Sequence, residues 1–303
     1  FNVDLTNPVG LNVSISDSQA EIGIADNDGP VIWDICTSPV QAYAVVALGT
    51  EFRLNNENAG VMGAVGVGAN VNLDFASGGI SGPLHVHPPM SGTLGLVDTL
   101  PGPGGDPISA VSQDMALTVD EIARLADGAS QLTPTQIFGD IVSATTINAT
   151  ASDGNNVILV DSIRLGATDA LTLNGTADDF FVINVQNDVK FIGGSRFNIS
   201  GGLLASRVFV NMLPGATELT LGGSGASYNG TFIAAYPGNF VSASGGSSII
   251  NGAVFAHDVT ISGTLINHNP FGCGRDLVVM DATVSEGASS VPVSVMINAA
   301  VAT

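Results

Sequence analysis

His85 and His87, in Leu84-His85-Val86-His87, are two residues apart, and on an extended strand side chains so spaced share a face. That is a candidate pair of metal ligands. No third ligand stands near them in sequence, although His268 or Asp258 could approach in space, and hydrogen-bonded surface or turn histidines are the simpler account. Cys36 and Cys273 are the only two cysteines and suffice for one disulfide in an oxidising compartment. Closing so long a loop would stabilise by about 5 kcal/mol at most in the chain-entropy picture. Two separate buried thiols are the other account. Neither cysteine lies in a Cys-x-x-Cys pair or beside a plausible base, so thiolate catalysis is not expected. Gly223-Ser224-Gly225-Ala226 lacks the final glycine of a nucleophile elbow, and no phosphate-binding loop occurs. The chain is not expected to be an enzyme, and no catalytic residue is assigned.

The composition narrows the partners. Among 303 residues, 27 are acidic and 7 basic, for a formal charge of −20, so nucleic acid and anionic membrane are poor partners. Yet only 11% of residues are charged, 45% are hydrophobic and 38 are glycine, which excludes disorder by charge. No apolar run approaches the roughly 18 to 20 residues of a membrane helix, so the apolar side chains belong in a protein core. Abundant Gly, Ser, Thr, Asn, Ala and Val with a single lysine suit an extracellular or cell-surface protein. Phe1 begins within what reads as a strand, as expected of a processed piece of something longer.

Short strands must position any site. Between Ala170 and Ile261 the pattern predicts Ala170 to Leu173, Phe180 to Val185, Val189 to Ile192, Arg207 to Asn211, Glu218 to Leu221, Gly230 to Ala235, Ser248 to Ile250, Ala253 to His257 and Val259 to Ile261. They are too short and too close together for alternating strands and helices. Tyr228-Asn229-Gly230-Thr231-Phe232-Ile233-Ala234-Ala235 is echoed 22 residues on by Ile250-Asn251-Gly252-Ala253-Val254-Phe255-Ala256-His257. Gly63-Ala64-Val65-Gly66-Val67 is a fainter copy. A period near 22 fits one coil of a β-solenoid, with a β-sandwich as the alternative. One amphipathic helix interrupts the strands over about 106–128. Ile108, Val111, Met115, Val119, Ile122 and Ala126 supply its apolar stripe, Asp106 and Pro107 its start, and Thr118-x-x-Glu121 an alternative start. Threonine is scattered rather than repeated at coil spacing. Sequons at Asn12, Asn148, Asn174, Asn198 and Asn229 would carry glycan only in an archaeal or eukaryotic protein.

The run from Ala226 to the closing Ile266-Asn267-His268-Asn269-Pro270-Phe271 resembles the choice-of-anchor A domain, which belongs with the ice-binding-protein-like β-solenoids. The likeness spans about 36–273 and implies a solenoid with an α-helix alongside, on an extracellular protein without enzyme activity. The ends resemble something else. Phe1 to Pro8 and Ile22 to Gly29 look like the last two strands of a Calx-beta domain, and Val279 to Ala300 like the first two. Either the solenoid sits between two such domains of a longer protein, or the ending of one subunit is completed by the beginning of another. The ends could also fold back on one another within the chain. Asp26, Asp28 and Glu286 match positions where some Calx-beta domains bind Ca²⁺. Ligands from that family's middle strands are missing here, so a plain Asp-Asn-Asp-Gly turn is slightly preferred and no cofactor is assigned.

The expectation is therefore a mainly β protein: terminal strands 1–30, a β-solenoid with a flanking helix over 31–274, and terminal strands 275–303 forming a partial or shared β-sandwich. Unpaired strands with an apolar face template pairing with another chain. Val291, Val293, Val295 and Ile297 are the expected donor anchors, against acceptor strands bearing Val3, Leu5, Ile22 and Ile24. The expected function is a structural subunit of an extracellular filament or adhesive fibre, joined head-to-tail to copies of itself. The alternative is an ice-binding or Ca²⁺-dependent adhesin module of a larger surface protein.

Overall fold

The computed structural model describes residues 38–69, 71–88, 110–166, 168–271, 282–286 and 289–293. By its contacts the chain divides into two compact units, Ile32–Leu277 and, separately, Phe1–Val31 with Val278–Thr303. The larger unit begins with β1 (Tyr43–Ala47), β2 (Glu51–Met62), β3 (Ala64–Val67), β4 (Asn72–Ile80), β5 (Leu84–Val86) and β6 (Ala110–Ser112). One helix follows, α1 (Ala116–Ser130). Next come β7 (Gln136–Phe138), β8 (Thr145–Asn148), β9 (Asn155–Val160), β10 (Ile163–Leu165), β11 (Ala170–Asn174), β12 (Phe180–Val185), β13 (Val189–Ile192) and β14 (Arg196–Ser200). Last are β15 (Val208–Met212), β16 (Glu218–Gly222), β17 (Ser227–Ala234), β18 (Phe240–Ala243), β19 (Ser248–Ala256), β20 (Asp258–Ile261) and β21 (Thr264–His268).

Every pairing among the described strands of this unit is parallel, and three columns result. Face A stacks β7, β9, β12, β15, the second halves of β17 and β19, then β1, β3, β5 and β6. Face B stacks β8, β11, β14, the first halves of β17 and β19, β21, and the ends of β2 and β4. Face C stacks β10, β13, β16, β18, β20, and the beginnings of β2 and β4. This is the expected β-solenoid. The register also matches the sequence echo, since Tyr228, Asn229 and Gly230 lie on Ile250, Asn251 and Gly252. The fainter copy is in column too, with Val45 between Val254 and Val65.

Order along the columns is not chain order. The first coils, β1 to β3, stack on the last, with Val45 on Val254, Phe52 on Val259 and Val61 on Ile266. Once β6 has paired with β5, the chain must return outside the coils to begin β7, and α1 is that return. Its 15 residues cover about 22 Å at the standard helical rise.

Alternate side chains of each strand point inward. Phe191, Phe197, Tyr228 and Phe232 form an aromatic column there, with ring centroids 5.5 to 6.0 Å apart in contacting pairs. Each fully buried ring of this kind stabilises by about 1.5–3 kcal/mol. Tyr228 is wholly buried, and its hydroxyl accepts from the Gly223 N–H at 2.7 Å. A second core lies between face A and α1, where Val46, Val157, Val182, Phe209, Ile233 and Phe255 meet Met115, Ile122, Leu125 and Ala126. Phe271 closes it against Phe209 and Phe255, which gives the distinctive end of the solenoid sequence a packing role.

The helix starts ten residues later than the expected Asp106. Ala110–Ser112 instead continues the sheet as β6, with Ala110 on Leu84, and Val111 is exposed. Thr118 is not a cap but a buried residue inside the first turn. The Ala116 N–H is met by Asp114 Oδ1 at 2.9 Å. Near the other end, α1 runs past Gly128 because two buried face-A amides reach its carbonyls: Asn184 Nδ2 donates to Ala129 O at 2.6 Å and Asn211 Nδ2 to Ala126 O at 3.1 Å.

Candidate functional site

Face B carries a row of side-chain amides. Facing outward in register are Thr146, Thr172, Asn198, Asn229, Asn251, Asn267 and Met62, with rungs about 4.8 Å apart. Asn251 Nδ2 donates to Asn229 Oδ1 at 3.1 Å, Asn267 Nδ2 to Asn251 Oδ1 at 3.4 Å, and Asn229 Nδ2 to Phe197 O at 2.8 Å. Two residues along, Asn174 Nδ2 donates to Asn148 Oδ1 at 2.9 Å and Ser200 Oγ to Asn174 Oδ1 at 3.0 Å. Asn148, Asn174, Asn229, Asn251 and Asn267 are thus tied to one another or to the adjoining strand. On the other side of the row lie Ala170, Arg196, Ser227, Ile249 and Leu265, of which Ile249 is openly exposed.

Charge separates this face from its neighbour. Among the described outward side chains of these face-B segments, Arg196 is the one Asp, Glu, Lys or Arg, in a chain with 27 acidic residues. Face C instead has ionic ends: Lys190 Nζ lies 2.7 Å from Glu218 and 3.8 Å from Asp188, and Arg53 lies 2.7 Å from Glu51 and 3.4 Å from Asp74. The Lys190 hydrogen bond holds the Glu218 carboxyl below its ordinary value. Between those ends Thr220, Ser242 and Thr260 stand in one column. Hydroxyl residues therefore stack on this face, with Ser242 between the two threonines, while on face B Thr146 and Thr172 pair directly.

His85 and His87 each have a hydrogen-bond partner of their own. His85 Nδ1 is hydrogen-bonded to the Tyr43 hydroxyl at 2.8 Å. His87 Nδ1 accepts from the Met115 N–H at 3.0 Å and lies 3.3 Å from Asp114 Oδ1. Asp258, the other expected candidate, is engaged by His257, whose Nδ1 lies 3.1 Å from its Oδ2, and by the Thr50 and Glu51 N–H groups. Among the described residues no three His, Cys, Asp or Glu side chains gather as a metal would require.

Most other expected site residues lie outside the described residues: Val3, Leu5, Ile22, Ile24, Asp26, Asp28, Cys36, Cys273, Val295 and Ile297. Glu286 ends β22 (Ala282–Glu286), and Val291 and Val293 lie on β23 (Ser289–Val293). These strands pair antiparallel within the chain, Val291 on Val284 and Val293 on Ala282. Sequence reasoning passed over the asparagine row, although its signal was present in Asn229-Gly230 and Asn251-Gly252 at coil spacing.

No protein-family profile and no curated relative matches the chain. Solved structures do. The chain is similar to an ice-binding protein from an Antarctic biological consortium, at 15% identity and a TM-score of 0.53, over 75% of this chain and 88% of that one. It is similar to a glycosylated ice-binding protein from an Arctic yeast, at 15% identity and 0.53, over 80% and 96%. A third likeness is to an ice-binding protein from the Antarctic ascomycete Antarctomyces psychrotrophicus, at 17% identity and 0.51, over 76% and 96%. The Calx-beta likeness of the two ends has no counterpart in these comparisons. At such identities the shared feature is the fold, and this chain is a β-solenoid with the architecture of those ice-binding proteins.

Proposed function

We propose that the solenoid is an ice-binding module and that face B is the surface that meets ice. The observation that carries this reading is the hydrogen-bonded amide row of Asn229, Asn251 and Asn267 on a face almost free of charge. A crystal surface is periodic, so a binder needs donors and acceptors at a fixed repeat, and stacked strands supply one rung about every 4.8 Å. Side chains already locked to one another lose little rotamer freedom on binding. Carboxylates and ammonium groups would hold their own strongly oriented hydration, and face B omits them while face C keeps them. The architecture shared with proteins described as ice-binding supports the same reading. Non-catalytic action and an extracellular or cell-surface location go with it. No helix among the described residues is long and apolar enough to cross a membrane. The head-to-tail fibre expected from the terminal strands draws no support from these likenesses, so it yields to the ice-binding alternative.

Thermal hysteresis and inhibition of ice recrystallisation test the proposal. The native chain is expected to show both. Asn251→Asp and Ile249→Glu on face B should abolish most of the activity at unchanged melting temperature, whereas Ser242→Glu on face C should leave it intact. Absence of activity in the native chain, or loss only in the face-C variant, would overturn the assignment.

A further inference from the structure

The amide row creates a chemical liability. Face A and face B meet where β17 and β19 bend, at Gly230 (φ 128°) and Gly252. A Cβ on Gly252 would lie 1.9 Å from Gly230 O, so no larger residue fits there. Because the outward asparagine comes immediately before each bend, stacking two such rungs writes Asn229-Gly230 and Asn251-Gly252, and Asn174-Gly175 is the third Asn-Gly pair of the chain. All three asparagines face outward on face B.

We propose that Asn174, Asn229 and Asn251 are latent sites of spontaneous deamidation, held closed by the amide row, and that breaking the row turns face B anionic. In this reaction the glycine backbone nitrogen loses its proton and attacks the asparagine side-chain carbonyl carbon. The bond from that carbon to the amide nitrogen breaks and ammonia leaves. Water then opens the cyclic imide to aspartate or isoaspartate, so that the net change is addition of water and loss of ammonia. Ring closure needs the asparagine to leave the extended backbone of a strand and its side chain to swing free. Both movements are opposed here. Asn251 is tied through Nδ2 to Asn229 and through Oδ1 to Asn267. Asn174 is bonded on both sides, and the Gly175 nitrogen already donates to Ser200 O at 3.2 Å.

Peptide mapping by mass spectrometry during incubation at mildly alkaline pH reads the reaction directly and does not depend on ice binding. The native chain should convert far more slowly at all three sites than a free peptide spanning residues 248–254 does at Asn251. Losing one neutral hydrogen bond corresponds to a rate gain of about fivefold, so Asn267→Ala and Asn229→Ala should each raise conversion at Asn251 by about that factor and leave Asn174 unchanged. Circular dichroism melting shows that the variants are folded, and Asn251→Gln should remain unconverted at that rung. Equal rates in native chain and peptide, or no change at Asn251 in both ladder variants, would refute the proposal. Only the consequence rests on the ice-binding reading: aged, converted protein should lose thermal hysteresis. A fresh chain without hysteresis would defeat that reading while leaving the mass result standing.

Discussion

Thr50 and Asp258, 208 residues apart in sequence, meet at the seam between the first and last coils: the Thr50 N–H and hydroxyl both donate to Asp258 Oδ1, at 2.7 and 3.0 Å. The Glu51 N–H adds a third bond to the same oxygen at 2.8 Å. Burial pushes the Asp258 carboxyl up, but the Thr50 N–H, His257, the Thr50 hydroxyl and the Glu51 N–H together hold it below its ordinary value. A carboxyl depressed on folding stabilises above its unfolded pKa, and that contribution is lost as pH falls through the folded one. Asp258→Ala should destabilise by about 1.5–3 kcal/mol, because charged hydrogen bonds are removed and backbone donors stranded. Hydrogen exchange should show β1 to β3 losing protection before β9 to β16. Uniform loss along the whole solenoid would contradict the seam's special role.

His268 sits on the same seam with the opposite titration. Its Nε2 is buried without a hydrogen-bond partner, and burial pushes the ring's pKa down, against a smaller opposing effect of the Gln41 backbone. The folded state therefore prefers the neutral ring. Its contribution is complete above the ordinary histidine pKa and is lost as pH falls from there toward the lowered value. Thermal unfolding should give a melting temperature that drops between neutral and mildly acidic pH, and His268→Gln should flatten that part of the curve. A variant with the native slope would assign the titration to another group.

Asn184 and Asn211 form a buried amide pair beneath the end of α1, with Asn211 Nδ2 also donating to Asn184 Oδ1 at 3.0 Å. Replacing Asn184 removes two buried hydrogen bonds, although Ala129 O keeps the Leu132 N–H at 3.2 Å. Asn184→Leu should destabilise by about 1–3 kcal/mol and release the last turn of α1 in hydrogen exchange. Asn251→Leu, which breaks a solvent-facing amide row instead, should cost less than about 1 kcal/mol.

What could be read from the chain beforehand depended on constant spacing. Where the coil length is 22, as between Asn229 and Asn251, the echo is visible and its register correct. Elsewhere stacked partners are 26 residues apart, as Asn148 and Asn174 are, or 16, as Asn251 and Asn267 are, and a fixed period misses them. In the Thr220, Ser242 and Thr260 column the first step is 22 residues but places serine on threonine, and the second is 18, so no threonine repeat shows at the fixed period. The helix start failed for a different reason. Ile108, Val111 and Met115 fit a helical stripe by spacing alone, and only the pairing of β6 with β5 assigns Val111 to a strand. That pairing depends on residues far apart in the chain, which local periodicity does not record.

All three tyrosines of the chain titrate above their ordinary value, which makes alkaline pH a probe of both cores. Burial raises Tyr43 and Tyr228, against smaller opposing hydrogen bonds from Gln113 and the Gly223 N–H. Tyr236 is raised to about 12, by burial first and then by Asp127, to whose Oδ1 its hydroxyl donates at 2.9 Å. A phenolate there would stand against a carboxylate at the end of α1. The folded state holds these protons more tightly than the unfolded chain does. Stability from the three is thus complete below the ordinary tyrosine pKa and declines as pH rises through the raised values. Ultraviolet titration should place phenolate formation in the folded protein above that of the denatured chain. Tyr236→Phe should remove one titrating group and make the melting temperature less steep at high pH. A folded protein whose three phenols titrate together at the denatured midpoint would mean that neither the contact under α1 nor the aromatic column excludes water.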